Sequence, residues 1–241
     1  MLYYDTLSVQ PLLQLNQLHT TIARLPSDLA RRTLRAADQQ DQAQRAGAYV
    51  LLEKMIKKHT RCFPNRVKGV IKPEFNVFFD GSSPLSALHY DAYGKPYFAG
   101  QDNVTVSISH AGCLVACALV LEEEGKIASQ VGIDVQNVDY EVERAERIAE
   151  RYFSDGEKLL LAPQAVDAAA YCRTFTRIWT RKEALLKYRG IGMADISRAD
   201  TTDPTLDCVF EEAEQTLTCL DSNQKTREEL YYITVCIDRA K

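Results

Sequence analysis

Asp134, Glu183 and Lys187 are the residues of this chain whose types and spacing suit phosphate chemistry. Asp134 stands in Val131-Gly132-Ile133-Asp134-Val135-Gln136, an apolar alternation that reads as a strand, with one acid where a side chain would leave a buried sheet. Glu183 and Lys187 stand in Trp179-Thr180-Arg181-Lys182-Glu183-Ala184-Leu185-Leu186-Lys187, a run of helix formers with no breaker until Gly190. Four residues apart, they share a helix face, and Trp179 lies one turn above Glu183. An acid on a strand beside an acid and a lysine on a helix can hold one divalent cation and one phosphate. Carboxylate oxygens suit Mg²⁺, which keeps several waters and takes other ligands from substrate phosphates. Each residue has a plainer use when taken alone. Asp134 can close a strand, and Glu183 with Lys187 can be a solvated helix pair contributing about 0.3–0.5 kcal/mol. The large Trp179 and the ordered pairing with Asp134 favour the chemical reading.

The elements that must position these residues alternate between helix and strand. Residues 7–25 and 27–59 read as mostly helical, separated by Pro26 and reopened by a Ser27-Asp28 cap. Short strands are expected at 75–79 and 87–90 with an Asp80-Gly81 turn, and a hairpin from 104–109 through Gly112 into 113–121. Residues 122–126 form the candidate hinge. Beyond it come a strand at 131–136, helices at 141–152, 154–161 and 166–188, and strands at 206–212, 215–221 and 230–238. Helices followed by a short antiparallel meander thus occur in both halves. The expected fold is α+β, in two similar lobes divided as 1–125 and 126–241.

The two leading segments, in this order, resemble the signature of the 4′-phosphopantetheinyl transferase superfamily: an apolar-Gly-Ile-Asp stretch, a spacer, then Trp-x-x-Lys-Glu-Ala-x-x-Lys. Gly94-Lys95-Pro96 is similar to its Gly-Lys-Pro element, and Ser107-Ile108-Ser109-His110-Ala111 to its Ser-His element. Phe153-Ser154-Asp155-Gly156-Glu157 is similar to its Phe-Ser-x-x-Glu element. The length fits the longer, monomeric Sfp-like branch. That resemblance implies a pseudodimer of two lobes, each with helices on a small antiparallel sheet and the active site in the cleft between them. The implied reaction moves the 4′-phosphopantetheine arm of coenzyme A to a serine of an apo acyl or peptidyl carrier protein, releasing adenosine 3′,5′-bisphosphate. The alternative is a non-catalytic module of the same fold that binds carrier protein or coenzyme A.

The roles implied by the resemblance follow residue by residue. Asp134 and Glu183 hold Mg²⁺ (or Mn²⁺), with Gln136 beside them, and Glu183 is the base for the incoming serine. Lys187 and Lys182 draw charge from the diphosphate; Lys95, Pro96, Ser109 and His110 contact the nucleotide half of coenzyme A. Glu157 orients a water or the base. Arg31, Arg32, Arg35 and Arg45 share one helical segment, ordinarily a solvated face, and some of them supply further cations for the phosphates. The chain departs from the family pattern at Gln136, where an acid is usual, and at Ala43, where an arginine is expected; Arg45 is near but on another helix face. His19, His59 and His89 stand in no constellation.

Composition narrows the partners. With 29 basic and 33 acidic residues the net charge is −4, so no bulk positive field draws nucleic acid or an anionic membrane. The seven cysteines form neither a Cys-x-x-Cys pair nor a Cys/His cluster with zinc spacing. Met1 is followed by Leu-Tyr-Tyr-Asp rather than a basic segment and an apolar core, and the longest apolar run, 113–121, is too short to span a bilayer. The expectation is a reduced, cytoplasmic protein.

Overall fold

A computed structural model describes residues 1–60, 64–67, 70–73, 83–220 and 225–239. The strand expected at 75–79 and its Asp80-Gly81 turn lie outside the described residues. The chain divides into two compact units, Met1–Ile108 with Cys113–Ser129, and Ser109–Gly112 with Gln130–Lys241. The architecture is α+β: helices and small antiparallel sheets make up each unit.

In the first unit β1 (Leu2–Ser8) pairs antiparallel with β7 (Leu114–Leu121), which also neighbours β6 (Val104–Ala111). The expected hairpin of β6 and β7 is present, turning at Gly112 with φ of 50°, a left-handed value that glycine adopts freely. Strand β1 was not foreseen; helix was expected from residue 7. Residues 2–8 become a strand because β7 offers them an edge, with Leu2 opposite Val120 and Ser8 opposite Leu114. Helices α1 (Leu15–Ala23), α2 (Ser27–Leu34) and α3 (Gln39–Thr60) follow. Strand β7 is buried along its whole length, and α3 covers it with Tyr49, Leu52, Met55 and Ile56 in one apolar cluster with Val115, Cys117 and Leu119. Strands β2 (Pro64–Val67) and β3 (Val70–Pro73) pair, as do β4 (Leu88–Tyr90) and β5 (Pro96–Phe98).

The second unit starts with β8 (Val131–Asn137), followed by α4 (Val142–Tyr152), α5 (Asp155–Leu161) and α6 (Ala168–Arg189). Strands β9 (Cys208–Leu220) and β10 (Thr226–Asp238) complete it. The sheet order is β8-β10-β9, with Thr234 of β10 opposite Asp134 on one side and Glu212 on the other. The two strands expected at 206–212 and 215–221 are one continuous strand, because β10 pairs with it without a break from Cys208 to Leu220. Residues 109–112 group with this unit: the Ser109 side chain bonds to Asp134 and Val135, and Gly112 lies against Tyr231.

Helix α6 is fixed at both ends. Asp167 accepts hydrogen bonds from the amides of Ala169 and Ala170, and Gly190 ends the helix at φ 66°. Between them α6 lies directly on β8. A Cβ at Gly132 would overlap the carbonyl oxygen of Ala184 and the backbone nitrogen of Tyr188. Gly132, Asp134 and Gln136 share one face of the strand, so the missing side chain at 132 brings the helix down beside the acid at 134. Gly132→Ala is therefore expected to lift α6 from β8 and lower stability by about 1–3 kcal/mol, as overpacked cores do. A denaturant midpoint equal to that of the parent protein would show that the helix does not rest on this glycine.

Candidate active site

Asp134 is fully buried on β8. Its Oδ1 accepts the Ser109 hydroxyl at 2.7 Å and the Lys187 ammonium at 2.7 Å, and the Gln136 amide approaches Oδ2 at 3.4 Å. The Lys187 Nζ also donates to Ser109 Oγ at 2.8 Å. Glu183, one turn before Lys187 on α6, hydrogen-bonds to Asp134 and accepts from the Trp179 indole. Burial, then the neighbouring Asp134 charge, raises the Glu183 carboxyl to about 8; Lys187 and the indole oppose the shift. Tyr140 stands close enough that burial, and next the Glu183 charge, raises its hydroxyl above the usual range.

Two carboxyl groups in hydrogen-bond contact are a pair that one proton or one cation must hold together. Both are hard oxygen donors, and the Gln136 amide stands beside them, a donor set suited to Mg²⁺ or Mn²⁺. The residues therefore fit a divalent ion.

The structure brings together Asp134, Gln136, Glu183, Lys187 and Ser109. Ser109, expected at the nucleotide, has its hydroxyl engaged by Asp134, Lys187 and the Val135 amide. Lys187, expected at a diphosphate, is paired with Asp134.

Lys182 requires a correction. Although next to Glu183 in sequence, it points from the other face of α6 into the core and has no exposed surface. Its Nζ is 2.8 Å from Glu157 Oε2 and donates to the Ala199 carbonyl. Glu157 is equally buried and closes a capping box with Ser154. Its other oxygen accepts from the Thr201 amide at 2.9 Å and the Thr201 hydroxyl at 2.8 Å. Neither residue is available to a diphosphate or to a catalytic water. They tie α5, α6 and the 199–201 segment together.

His110 is exposed at the tip of the hairpin, in the second unit. Lys95, Pro96 and Arg45 belong to the first unit. Pro96 is buried at the start of β5. Lys95 sits in a turn whose amides bond to Asp91, and burial lowers its pKa against the pull of Asp91. Arg45 is half-buried and donates to the Arg32 carbonyl at 3.1 Å, joining α3 to α2.

The first unit also has a pocket of about 410 Å³ lined by Arg31, Arg32 and Arg35 of α2 and His89 and Tyr90 of β4. The Arg32 guanidinium stacks 3.8 Å over the Tyr90 ring, whose hydroxyl donates to Tyr49 at 2.9 Å. His89 stands in no constellation along the chain; the fold places it in one pocket with three arginines.

Residues 130–236 match the family model described as the 4′-phosphopantetheinyl transferase superfamily. The matched stretch contains Asp134, Gln136, Glu183 and Lys187 in their observed cluster. Residues 130–236 are thus similar to domains of that superfamily. The chain is similar to the 4′-phosphopantetheinyl transferase AcpT of Salmonella typhi, at 33% identity over 51% of this chain and 59% of the relative. It is similar to the AcpT of Escherichia coli O157:H7, at 32% over 50% of this chain and 57% of the relative. A putative 4′-phosphopantetheinyl transferase of Haemophilus influenzae is 29% identical over 47% of this chain and 44% of its own length. The chain thus spans little more than half the length of the AcpT relatives. No helix among the described residues is long and apolar enough to cross a membrane.

Two outcomes follow from these contacts. Glu183 binds its proton more tightly in the folded protein than the unfolded chain does, so its contribution to stability is present below the ordinary carboxylate range. That contribution is lost as pH rises through about 8. The melting temperature of the metal-free protein should fall between about pH 5 and about pH 8, and Glu183→Gln should flatten that slope. Parallel slopes for the two proteins would remove the shared proton. Separately, Lys182→Met leaves Glu157 buried without its cation and should cost about 3–5 kcal/mol in thermal or chemical denaturation. Unchanged stability with weakened coenzyme A binding would return Lys182 to the ligand site.

Proposed function

We propose that the protein transfers the 4′-phosphopantetheine arm of coenzyme A to a serine hydroxyl of an apo acyl or peptidyl carrier protein. The observation that carries this reading is the contact of Asp134 with Glu183 and Lys187 inside the superfamily-matched stretch. The curated relatives named as 4′-phosphopantetheinyl transferases support it.

The serine oxygen bonds to the β-phosphorus of coenzyme A, and the bond from that phosphorus to the bridging diphosphate oxygen breaks. The leaving group is adenosine 3′,5′-bisphosphate, which keeps the bond's electron pair. Such a transfer depends on positioning and charge neutralisation more than on covalent help from the protein. Asp134 and Glu183 would hold Mg²⁺, or Mn²⁺, with Gln136 alongside; that ion supplies charge neutralisation for the diphosphate. Glu183 in its carboxylate form takes the proton of the serine hydroxyl. Burial and the Asp134 charge raise this carboxyl in the metal-free protein, and a cation held beside it would lower it again, which keeps the carboxylate form available to accept that proton. Trp179 orients that carboxylate through the indole N–H. Lys187 is the ammonium nearest the pair and serves the phosphates.

In the loop after α6, Ile191 packs on the core beneath the helix, while Met193 is half exposed. If the loop meets a carrier protein, Met193 is the side chain that does so.

The test is mass spectrometry of an apo carrier protein incubated with the full chain, coenzyme A and Mg²⁺. The expected result is a gain of one phosphopantetheine group, lost with Asp134→Ala and with Glu183→Ala while both variants keep the parent's circular dichroism. Binding of coenzyme A with no mass gain on any carrier type would instead identify a non-catalytic binding module.

A further inference from the structure

Lys187 is bonded to the same acid pair that it was expected to assist. Its Nζ is 2.7 Å from Asp134 Oδ1 and 2.8 Å from Ser109 Oγ. The Ser109 hydroxyl donates its one proton to that Oδ1 at 2.7 Å and accepts from the Val135 amide at 3.3 Å. With Lys187 on its other lone pair, the hydroxyl is fully engaged and its orientation fixed. Ser109 and Asp134 are buried, whereas 31% of the Lys187 side chain is exposed. The serine and the acid are therefore held in place, and the lysine is the member free to swing on a flexible stem.

A divalent ion approaching Asp134 meets an ammonium already on the carboxylate. Like charges a few ångströms apart in a half-buried site repel strongly. Binding of the ion is then easiest when the ammonium has an anion elsewhere to move to. We propose that Lys187, held by Ser109, is the resident counter-cation of Asp134, and that divalent-cation binding to Asp134 and Glu183 is linked to the passage of the Lys187 ammonium from Asp134 to a bound diphosphate. The choice of a diphosphate rests on the transferase reading. The linkage works in both directions: the ion frees the lysine for the diphosphate, and the diphosphate frees Asp134 for the ion. Ser109 acts through Lys187 as a positioning residue. An Asp–Glu pair with its own lysine binds the bare ion weakly and the ion with diphosphate well, so the site is completed only when its substrate arrives.

Trp179 is the only tryptophan of the chain, and it is hydrogen-bonded to Glu183, so its fluorescence reports on the pair. The full-length chain is titrated with MgCl₂, first alone and then with inorganic pyrophosphate. Lys187→Met is expected to bind Mg²⁺ alone about tenfold more tightly than the parent, and pyrophosphate should tighten Mg²⁺ binding less than it does in the parent. Ser109→Ala should fall between the two, and Ser109→Thr should restore the parent affinity. Should Lys187→Met not fold, Ser109→Ala against Ser109→Thr carries the same comparison. Mg²⁺ affinity in Lys187→Met or Ser109→Ala equal to or weaker than the parent's would overturn the proposal. Carrier modification by the parent chain is measured apart: linkage without transfer would refute the transferase reading alone, and transfer without linkage this inference alone.

Discussion

The closeness of α6 to β8 at Gly132 is the constraint on which the candidate site depends. A hydrogen in place of a side chain lets the backbone of Ala184 and Tyr188 rest on the strand. Only at that separation can Glu183 and Lys187 reach an acid two residues further along β8. The buried Asp134 carboxylate would be untenable without partners, and the same approach supplies them in Lys187 and Glu183, with Ser109 from the hairpin tip. Packing and chemistry are here a single arrangement.

Helix α6 carries charge on three sides, and each side does different work. Toward β8 it presents Trp179, Glu183 and Lys187. Toward the core it buries Lys182 against Glu157, a pair satisfied by Ser154, Thr201 and the Ala199 carbonyl. Toward β9 it extends Arg177 and Arg181, which both grip Glu212 and, against the cost of burial, hold that carboxyl down to about 2. The buried pair and the arginine clamp restrict rotation and sliding of the helix. That restriction matters because the Asp134–Glu183 pair tolerates little displacement.

Electrostatics within the pair are unbalanced by design of the surroundings. Asp134 receives an ammonium and a hydroxyl on one oxygen, whereas Glu183 has an indole N–H and the repulsion of its neighbour. Two chemically similar acids therefore stand in different surroundings, and the Glu183 carboxyl is the one that burial and its neighbour push up.

Much of this was legible in the sequence. The strand at Asp134, the helix at Glu183, the β6–β7 hairpin, the α+β class and the family resemblance follow from short-range pattern, because alternation and helical spacing are written in neighbouring residues. Sequence also indicated that Asp134, Glu183 and Lys187 act together. It did not show strand β1, which exists because β7 offers an edge, nor the unbroken run of β9, which β10 enforces by pairing. Lys182 looked like Lys187 because both are lysines on one helix, and only the packing of α6 sends one into the core to Glu157 and the other to Asp134. His89 joined three arginines, and the Ser109 hydroxyl turned to Lys187, through contacts between residues distant in the chain. Residue types and local periodicity were determined by the sequence itself; which side of each helix meets which partner is a long-range property, decided only when the chain closes on itself.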